Sequence, residues 1–278
     1  MAVGFVGAGR MGLPMVRRLV AAGHPVRVSA LSNEEGSLLT REGATPVFAV
    51  RAVADDAAVV IICVYSDEQV RQVAFDEGLI DAMEPGSVLV VHTTCSPRTV
   101  QALAEYAATH GVQVVDSPIS GGPDDIAAGR ITSWQGGDPD DVQRIRPYLN
   151  SYADPMIYVG AVGSGQTVKL LNNAVFAANV ALAVQAARIA TELGFDEKAA
   201  VEAMRYGSSD SKALAMIAAS PSSDTFVEMV REFLGKDVVV VRRITHDIGV
   251  DLGPIGDVLD SDDGRSVLGV HIGERAPS

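Results

Sequence analysis

The chain has 278 residues, 47% hydrophobic and 21% charged, enough for one large globular domain or two ordinary ones. Its net charge of −13 argues against a nucleic-acid surface or an anionic membrane as partner, yet leaves room for an anionic cofactor held by backbone N–H groups. Two cysteines with no metal-ligand or disulfide pattern, and an apolar run at Val3 that leaves no room for a signal peptide, point to a reducing cytoplasm.

Residues 1–160 alternate short β-branched runs with helical segments. The runs Val3–Val6, Val26–Ser29, Val59–Cys63, Val88–Val91, Val112–Asp116 and Ile131–Trp134 read as strands. Met11–Ala22, Pro97–Thr109 and Asp140–Leu149 read as helices. Uniformly apolar strands alternating with helices imply a mostly parallel, Rossmann-type α/β sheet covered on both faces. The alternation stops near residue 162, so the chain is expected to divide into a dinucleotide-binding domain, 1–161, and an all-α substrate and dimerisation domain, 162–278. The helical part opens with a long helix over 164–193, capped near Gly194. Its stretch from Leu170 to Ala187 carries no charge, but alanines and the amides of Asn172, Asn173, Asn179 and Gln185 suit a helix buried in protein better than a membrane span. Val238–Val241 resembles a strand by propensity, but the spacing over Phe226–Ile248 favours a helix. The Gly- and Asp-rich tail from Gly253 reads as irregular.

Gly7-Ala-Gly9-Arg-Met-Gly12 follows the first strand and opens the first helix. In that context Gly7 permits a tight turn, Gly9 lets the backbone approach a pyrophosphate, and Gly12 lets helix and strand pack closely. After the second strand an acid normally binds the ribose hydroxyls of NAD, and an arginine favours NADP. The segment here is Ser29-Ala30-Leu31-Ser32-Asn33, with Glu34 and Glu35 placed in the next helix. Neither signature is present, so NAD and NADP both stay open and a preference below about 100-fold, under roughly 3 kcal/mol, is expected.

Lys169 stands at the edge of the uncharged stretch, one helical turn before Asn173, so both side chains point the same way. Burial on an apolar helix can lower a lysine pKa into the range of a proton-transferring group. Taken alone, a solvated helix-end lysine beside a bonded amide is the better reading, and the rest of the chain reverses that order.

The motifs together resemble the β-hydroxyacid dehydrogenase family, which includes 3-hydroxyisobutyrate dehydrogenases and related semialdehyde reductases. Gly4-Phe-Val-Gly-Ala-Gly-Arg-Met-Gly-Leu-Pro-Met15 resembles the cofactor loop, and Asp116-Ser-Pro-Ile-Ser120-Gly121-Gly122 the substrate loop. Gly163-Ser-Gly-Gln-Thr-Val-Lys169-Leu-Leu-Asn172-Asn173 resembles the catalytic helix, and Gly235-Lys236-Asp237 precedes a further hydrophobic helix. Thr93-Thr94-Cys-Ser-Pro97 is a weaker match to the turn after the fifth strand.

The resemblance implies hydride transfer between a nicotinamide cofactor and a small 3-hydroxy acid or its semialdehyde. Lys169 would be the general acid/base, and Asn173 would hold the substrate beside it. Ser120, Gly121 and Gly122 would bind the substrate carboxylate, with Ser120 counted among the catalytic set. Gly7, Gly9, Arg10, Met11, Gly12, Val64, Thr94 and Lys236 would contact the cofactor.

Three departures stand out. Ala30-Leu31-Ser32 replaces the family's frequent Asn-Arg-Thr. His92 replaces the aspartate of the turn after the fifth strand and reads as solvent-facing, with a local change in the nicotinamide pocket as the alternative. The tail from Gly253 departs from the family's closing helix, which bears on the substrate pocket. Two competing readings are an imine reductase, a group that usually lacks the lysine, and a non-catalytic cofactor-sensing protein. The long apolar helix offers more surface than a small helical domain can cover, so a homodimer or homotetramer is expected.

Overall fold

The computed structural model describes residues 2–269. It contains two compact units, Met1–Lys169 and Leu170–Ser278.

The first unit runs β1 (Ala2–Val6), α1 (Gly12–Ala21), β2 (Val26–Ser29), α2 (Asn33–Arg41), β3 (Thr45–Val47) and β4 (Ala57–Ile62). It continues through α3 (Asp67–Arg71), α4 (Leu79–Ala82), β5 (Val88–Val91), α5 (Pro97–Ala108), β6 (Gln113–Asp116) and β7 (Ile119–Ser120). It closes with α6 (Pro123–Ala127), β8 (Ile131–Gly136), α7 (Pro139–Leu149), β9 (Ala153–Gly160) and the first turns of α8 (Ser164–Glu192). One sheet of nine strands has the order β3-β2-β1-β4-β5-β6-β8-β7, with β9 on β8. The strands from β3 to β6 are all parallel, while β8 pairs antiparallel with β6 and β7. This is a Rossmann-type arrangement, mostly parallel as the strand composition predicts.

Period-two alternation explains why these strands are apolar throughout. Val59, Ile61, Val88 and Val90 point into one core with Met15, Leu19 and Ile145 from α1 and α7. Val60, Ile62, Leu89 and Val91 point into the other with Leu79, Val100 and Leu103 from α4 and α5. Both faces are dry because each carries helices. Three strands escape the sequence reading: β3 and β7 are only three and two residues long, and β9 carries Asp154-Pro155 at a sheet edge.

The second unit holds the rest of α8, then α9 (Glu197–Met204), α10 (Lys212–Ala218), α11 (Ser223–Asp247), α12 (Pro254–Asp260) and α13 (Asp262–Leu268). No strand occurs beyond Gly160 among the described residues. Val238 and Val241 are buried while Val239 is exposed, the signature of a helix and not of a strand.

The tail from Gly253 is not irregular as far as it is described. Pro254 starts α12, and Ser261 Oγ accepts from Gly264 N at 3.1 Å to cap α13. Leu259 and Val267 enter the same core as Val230 and Leu234. Gly235 allows the contact, because a Cβ there would meet the Leu268 carbonyl at 2.6 Å. Apolar side chains spaced for burial outweigh the breaker-rich composition. Residues 270–278 of that tail lie outside the described part.

The long helix is not wholly buried either. Ala177, Val180, Ala181 and Val184 are in the core, whereas Leu171, Val175, Leu182 and Ile189 remain exposed. By length and composition alone it could cross a membrane, a test that a half-buried core helix passes equally well.

Candidate active site

The strand order reverses between β1 and β4, and open parallel sheets bind ligands at the carboxyl ends of the strands flanking such a point. The glycine loop lies there. Gly7 has φ +96°, and a Cβ would sit 2.3 Å from the Cys63 carbonyl at the end of β4. At Gly12 a Cβ would meet the Gly7 carbonyl at 2.0 Å, so the protein's own packing demands both glycines. A Cβ on Gly9 would meet nothing within 4 Å. The fold does not require that glycine, and the backbone there is open to close approach. The start of α1 agrees: it has no side-chain cap and no acid in its first turn, whereas α2, α3 and α7 have both. An uncapped helix N-terminus beside an open Gly9 fits a pyrophosphate. Arg10 and Met11 lie between Gly9 and the helix.

The β4 and β5 ends are tied together. Thr93 Oγ1 accepts from Val64 N at 2.9 Å and donates to Val64 O at 3.0 Å. Gln166 in the first turn of α8 donates from Nε2 to Thr93 O at 2.9 Å and accepts from Cys95 N at 3.0 Å. Thr94 is thus bracketed on both sides. Asp116 at the end of β6 accepts from Gly163 N at 2.7 Å and from Gln166 N at 2.8 Å, capping α8 from 47 and 50 residues away. Lys169 lies one turn further along.

The substrate loop follows the same strand. Ser120 ends β7, and Gly121 has φ +133° with its would-be Cβ 2.7 Å from Ile131 Cδ1. Gly122 N donates to Asp125 Oδ2 at 2.9 Å at the start of α6, so that amide is engaged within the chain.

On α8, Lys169 and Asn173 are both buried, at 9% and 3% exposure. Asn173 Nδ2 donates to Asp237 Oδ2 at 2.5 Å and its Oδ1 accepts from Asn172 Nδ2 at 2.9 Å. Lys236 Nζ lies 3.6 Å from Asp237 Oδ1. The helical unit therefore gathers Asn173, Lys236 and Asp237 around one buried carboxylate.

His92 does not face solvent. It is 2% exposed, with Nδ1 2.5 Å from Ser117 O and Nε2 2.8 Å from Tyr152 Oη. The carbonyl can only accept, so Nδ1 carries the proton and Tyr152 donates to Nε2. A local strand-end rule cannot foresee this, because both partners come from distant elements. Burial pulls the His92 pKa down to about 4, against the Ser117 contact, and pushes the Asp116 carboxyl up to about 6, against its backbone amides.

These shifts act on stability in opposite directions. As pH falls from 6.5 towards 4, the unfolded histidine binds a proton that folded His92 refuses, so stability drops. Asp116 binds its proton earlier in the folded state, so its contribution is present below pH 3.8 and lost as pH rises through about 6. At 1.36 kcal/mol per unit each is worth about 3 kcal/mol, and they offset. Asp116→Asn is expected to lose about 2 kcal/mol more than wild type on going from pH 7 to pH 4, read by urea unfolding.

Comparison with known proteins places the chain in a family. The NAD-binding domain of 6-phosphogluconate dehydrogenase matches residues 2–160, and the NAD-binding domain of NADP-dependent 3-hydroxyisobutyrate dehydrogenase matches residues 163–259. The chain belongs to the β-hydroxyacid dehydrogenase family. Among its relatives, the 2-hydroxy-3-oxopropionate reductase of Escherichia coli is 30% identical over 77% of this chain and 73% of its own. The 3-hydroxyisobutyrate dehydrogenase of Mycobacterium tuberculosis, solved with L-serine, superposes with TM-score 0.82 at 25% identity, covering 96% of this chain and 97% of that one. The imine reductase of Streptomyces aurantiacus shares the fold at 21% identity and TM-score 0.66, over 97% and 99% of the two chains. This dehydrogenase is an NAD(P)-dependent enzyme of the hydroxy-acid type. Asp116, Gln166, Thr93 and Asp237, which the sequence reading gave no role of their own, are the residues that fix its loops and its buried amide.

Proposed function

We propose that this dehydrogenase interconverts a small 3-hydroxy acid and its semialdehyde, using Lys169 as the proton-handling group. The observation that carries the reading is the burial of Lys169 one turn before buried Asn173, on a helix whose start is fixed by Asp116. When bound, the nicotinamide supplies or accepts the hydride. Lys169 Nζ holds the hydroxyl proton during oxidation and returns it during reduction. Asn173 bonds the substrate, with its amide oriented by Asp237 and Asn172. Ser120 and the Gly121 backbone bind the carboxylate. Gly7, Gly9, Arg10, Met11, Gly12, Val64 and Thr94 hold the cofactor, with Lys236 completing the set.

The presence of Lys169 in Lys-x-x-Asn-Asn disfavours the imine reductase reading, since that group usually lacks the lysine, and the joint presence of Ser120, Lys169 and Asn173 disfavours a non-catalytic sensor. The test is a panel of small hydroxy acids and semialdehydes assayed with both nucleotides. Within it, Asn173→Ala is expected to raise KM and lower kcat together, while Ser120→Ala acts mainly on KM, since a carboxylate contact exists in ground and transition states alike.

The protein is further proposed to work in the cytoplasm, without nucleic-acid or membrane partners, as a homodimer or homotetramer. Residues 162–278 would serve substrate binding and dimerisation. Val175, Leu182 and Ile189 recur every seven residues on an exposed face of α8, an apolar seam suited to a second copy. Sedimentation equilibrium reads the assembly, and a monomer would refute it.

A further inference from the structure

We infer that Glu35 makes this dehydrogenase prefer NAD to NADP, by filling the anion position after β2 from within the chain. The inference rests on the dinucleotide reading of the glycine loop, and it is independent of the substrate.

The adenosine ribose of a dinucleotide on this fold reaches the carboxyl end of the strand beside β1, which is β2. There a 2′-phosphate needs cations or unclaimed backbone amides, whereas a 2′-hydroxyl needs an acceptor. Ala30, at 5% exposure, and Leu31, at 92%, supply no polar side chain. The acceptor comes instead from one turn into α2. Ser32 caps that helix in extended conformation, φ −150° and ψ 162°, its Oγ accepting from Glu35 N at 3.1 Å. The Glu35 side chain folds back, and Oε2 accepts from Leu31 N at 2.7 Å. The bond takes Leu31 N away from any phosphate and fixes a carboxylate at the end of β2.

The surrounding charge reinforces the effect. Glu34 adds a second acid in the first turn, and no lysine or arginine occurs from residue 28 to residue 40. Arg27 on β2 is paired with Asp55 at 3.4 Å, and Arg41 lies in the last turn of α2. Arg10 lies on the glycine loop, not after β2. A carboxylate with one oxygen on Leu31 N retains lone pairs for a ribose hydroxyl but repels a dianionic phosphate. The sequence pattern Ser-x-x-Glu hides this role, because there it reads as an ordinary helix start.

Fluorescence titration of the full-length protein with NADH and with NADPH, without substrate, tests the inference. Wild type is expected to bind NADPH about 10- to 100-fold more weakly than NADH. Glu35→Gln keeps an acceptor for Leu31 N but drops the charge. It should tighten NADPH at least about fivefold and leave NADH within about twofold. Ser32→Ala loosens the cap without changing charge and should leave the NADPH-to-NADH ratio where it was. The inference is overturned if wild type binds NADPH as tightly as NADH, if Glu35→Gln leaves the ratio unchanged, or if Ser32→Ala moves it equally. A wild type that binds neither nucleotide overturns it together with the glycine-loop reading. The expected discrimination in a protein that turns over no semialdehyde supports it, and sinks the substrate proposal alone.

Discussion

Lys169→Ala is expected to lower turnover by about 10²–10⁴-fold, the span usual for loss of a general acid/base. The same variant should bind NAD(P)H with nearly unchanged affinity. The asymmetry follows from position. Lys169 lies on α8, whereas the glycine loop lies between β1 and α1 and depends on Gly7 and Gly12 for its shape. The start of α8 is held by Asp116 and Gln166 through backbone and side-chain bonds that an alanine at 169 leaves intact. Chemistry should therefore fail while the scaffold stands. Steady-state kinetics beside a fluorescence titration separates the two effects.

Gly9→Val is expected to abolish dinucleotide binding in a protein that folds normally. Its side chain would enter space that no protein atom occupies within 4 Å of the Cβ, the space the pyrophosphate needs. Gly7→Val and Gly12→Val should behave differently. Their Cβ atoms would stand 2.3 Å from the Cys63 carbonyl and 2.0 Å from the Gly7 carbonyl, so those variants should lose stability as well as binding. Thermal melting with and without NAD(P)H distinguishes the cases. Gly9→Val should melt like wild type without nucleotide and gain nothing when it is added.

Much of the fold can be read from local pattern. The β2 and β5 boundaries follow directly from Val26–Ser29 and Val88–Val91, because short β-branched runs between turns have few alternatives. The helix through Val238–Val241 is legible because apolar spacing over Phe226–Ile248 suits the helical period despite strand propensity, and its burial agrees. What stays hidden is non-local. Asp116 reads as part of a substrate loop, yet its carboxylate caps a helix about 50 residues on, and no local capping rule reaches that far. His92 reads as a surface residue because its partners, Ser117 and Tyr152, arrive from β6's far end and from the start of β9. The tail misleads because glycines and aspartates suggest a loop, while Leu259 and Val267 supply the burial that makes it helical. Within the candidate site, the motifs identify Lys169 and Asn173. The carboxylate of Asp237 that holds the Asn173 amide emerges only from the packing of α11 against α8.

The most direct test of the proposed chemistry is the rate of NAD(P)H consumption with a panel of small semialdehydes, wild type and Lys169→Ala measured side by side. The account predicts that wild type turns over at least one 3-carbon or 4-carbon semialdehyde bearing a carboxylate, and that the alanine variant does so about 10²–10⁴-fold more slowly at equal nucleotide affinity. A variant that matches the wild-type rate, or a wild type that binds nucleotide and reduces nothing in the panel, would contradict it and favour a cofactor-sensing protein.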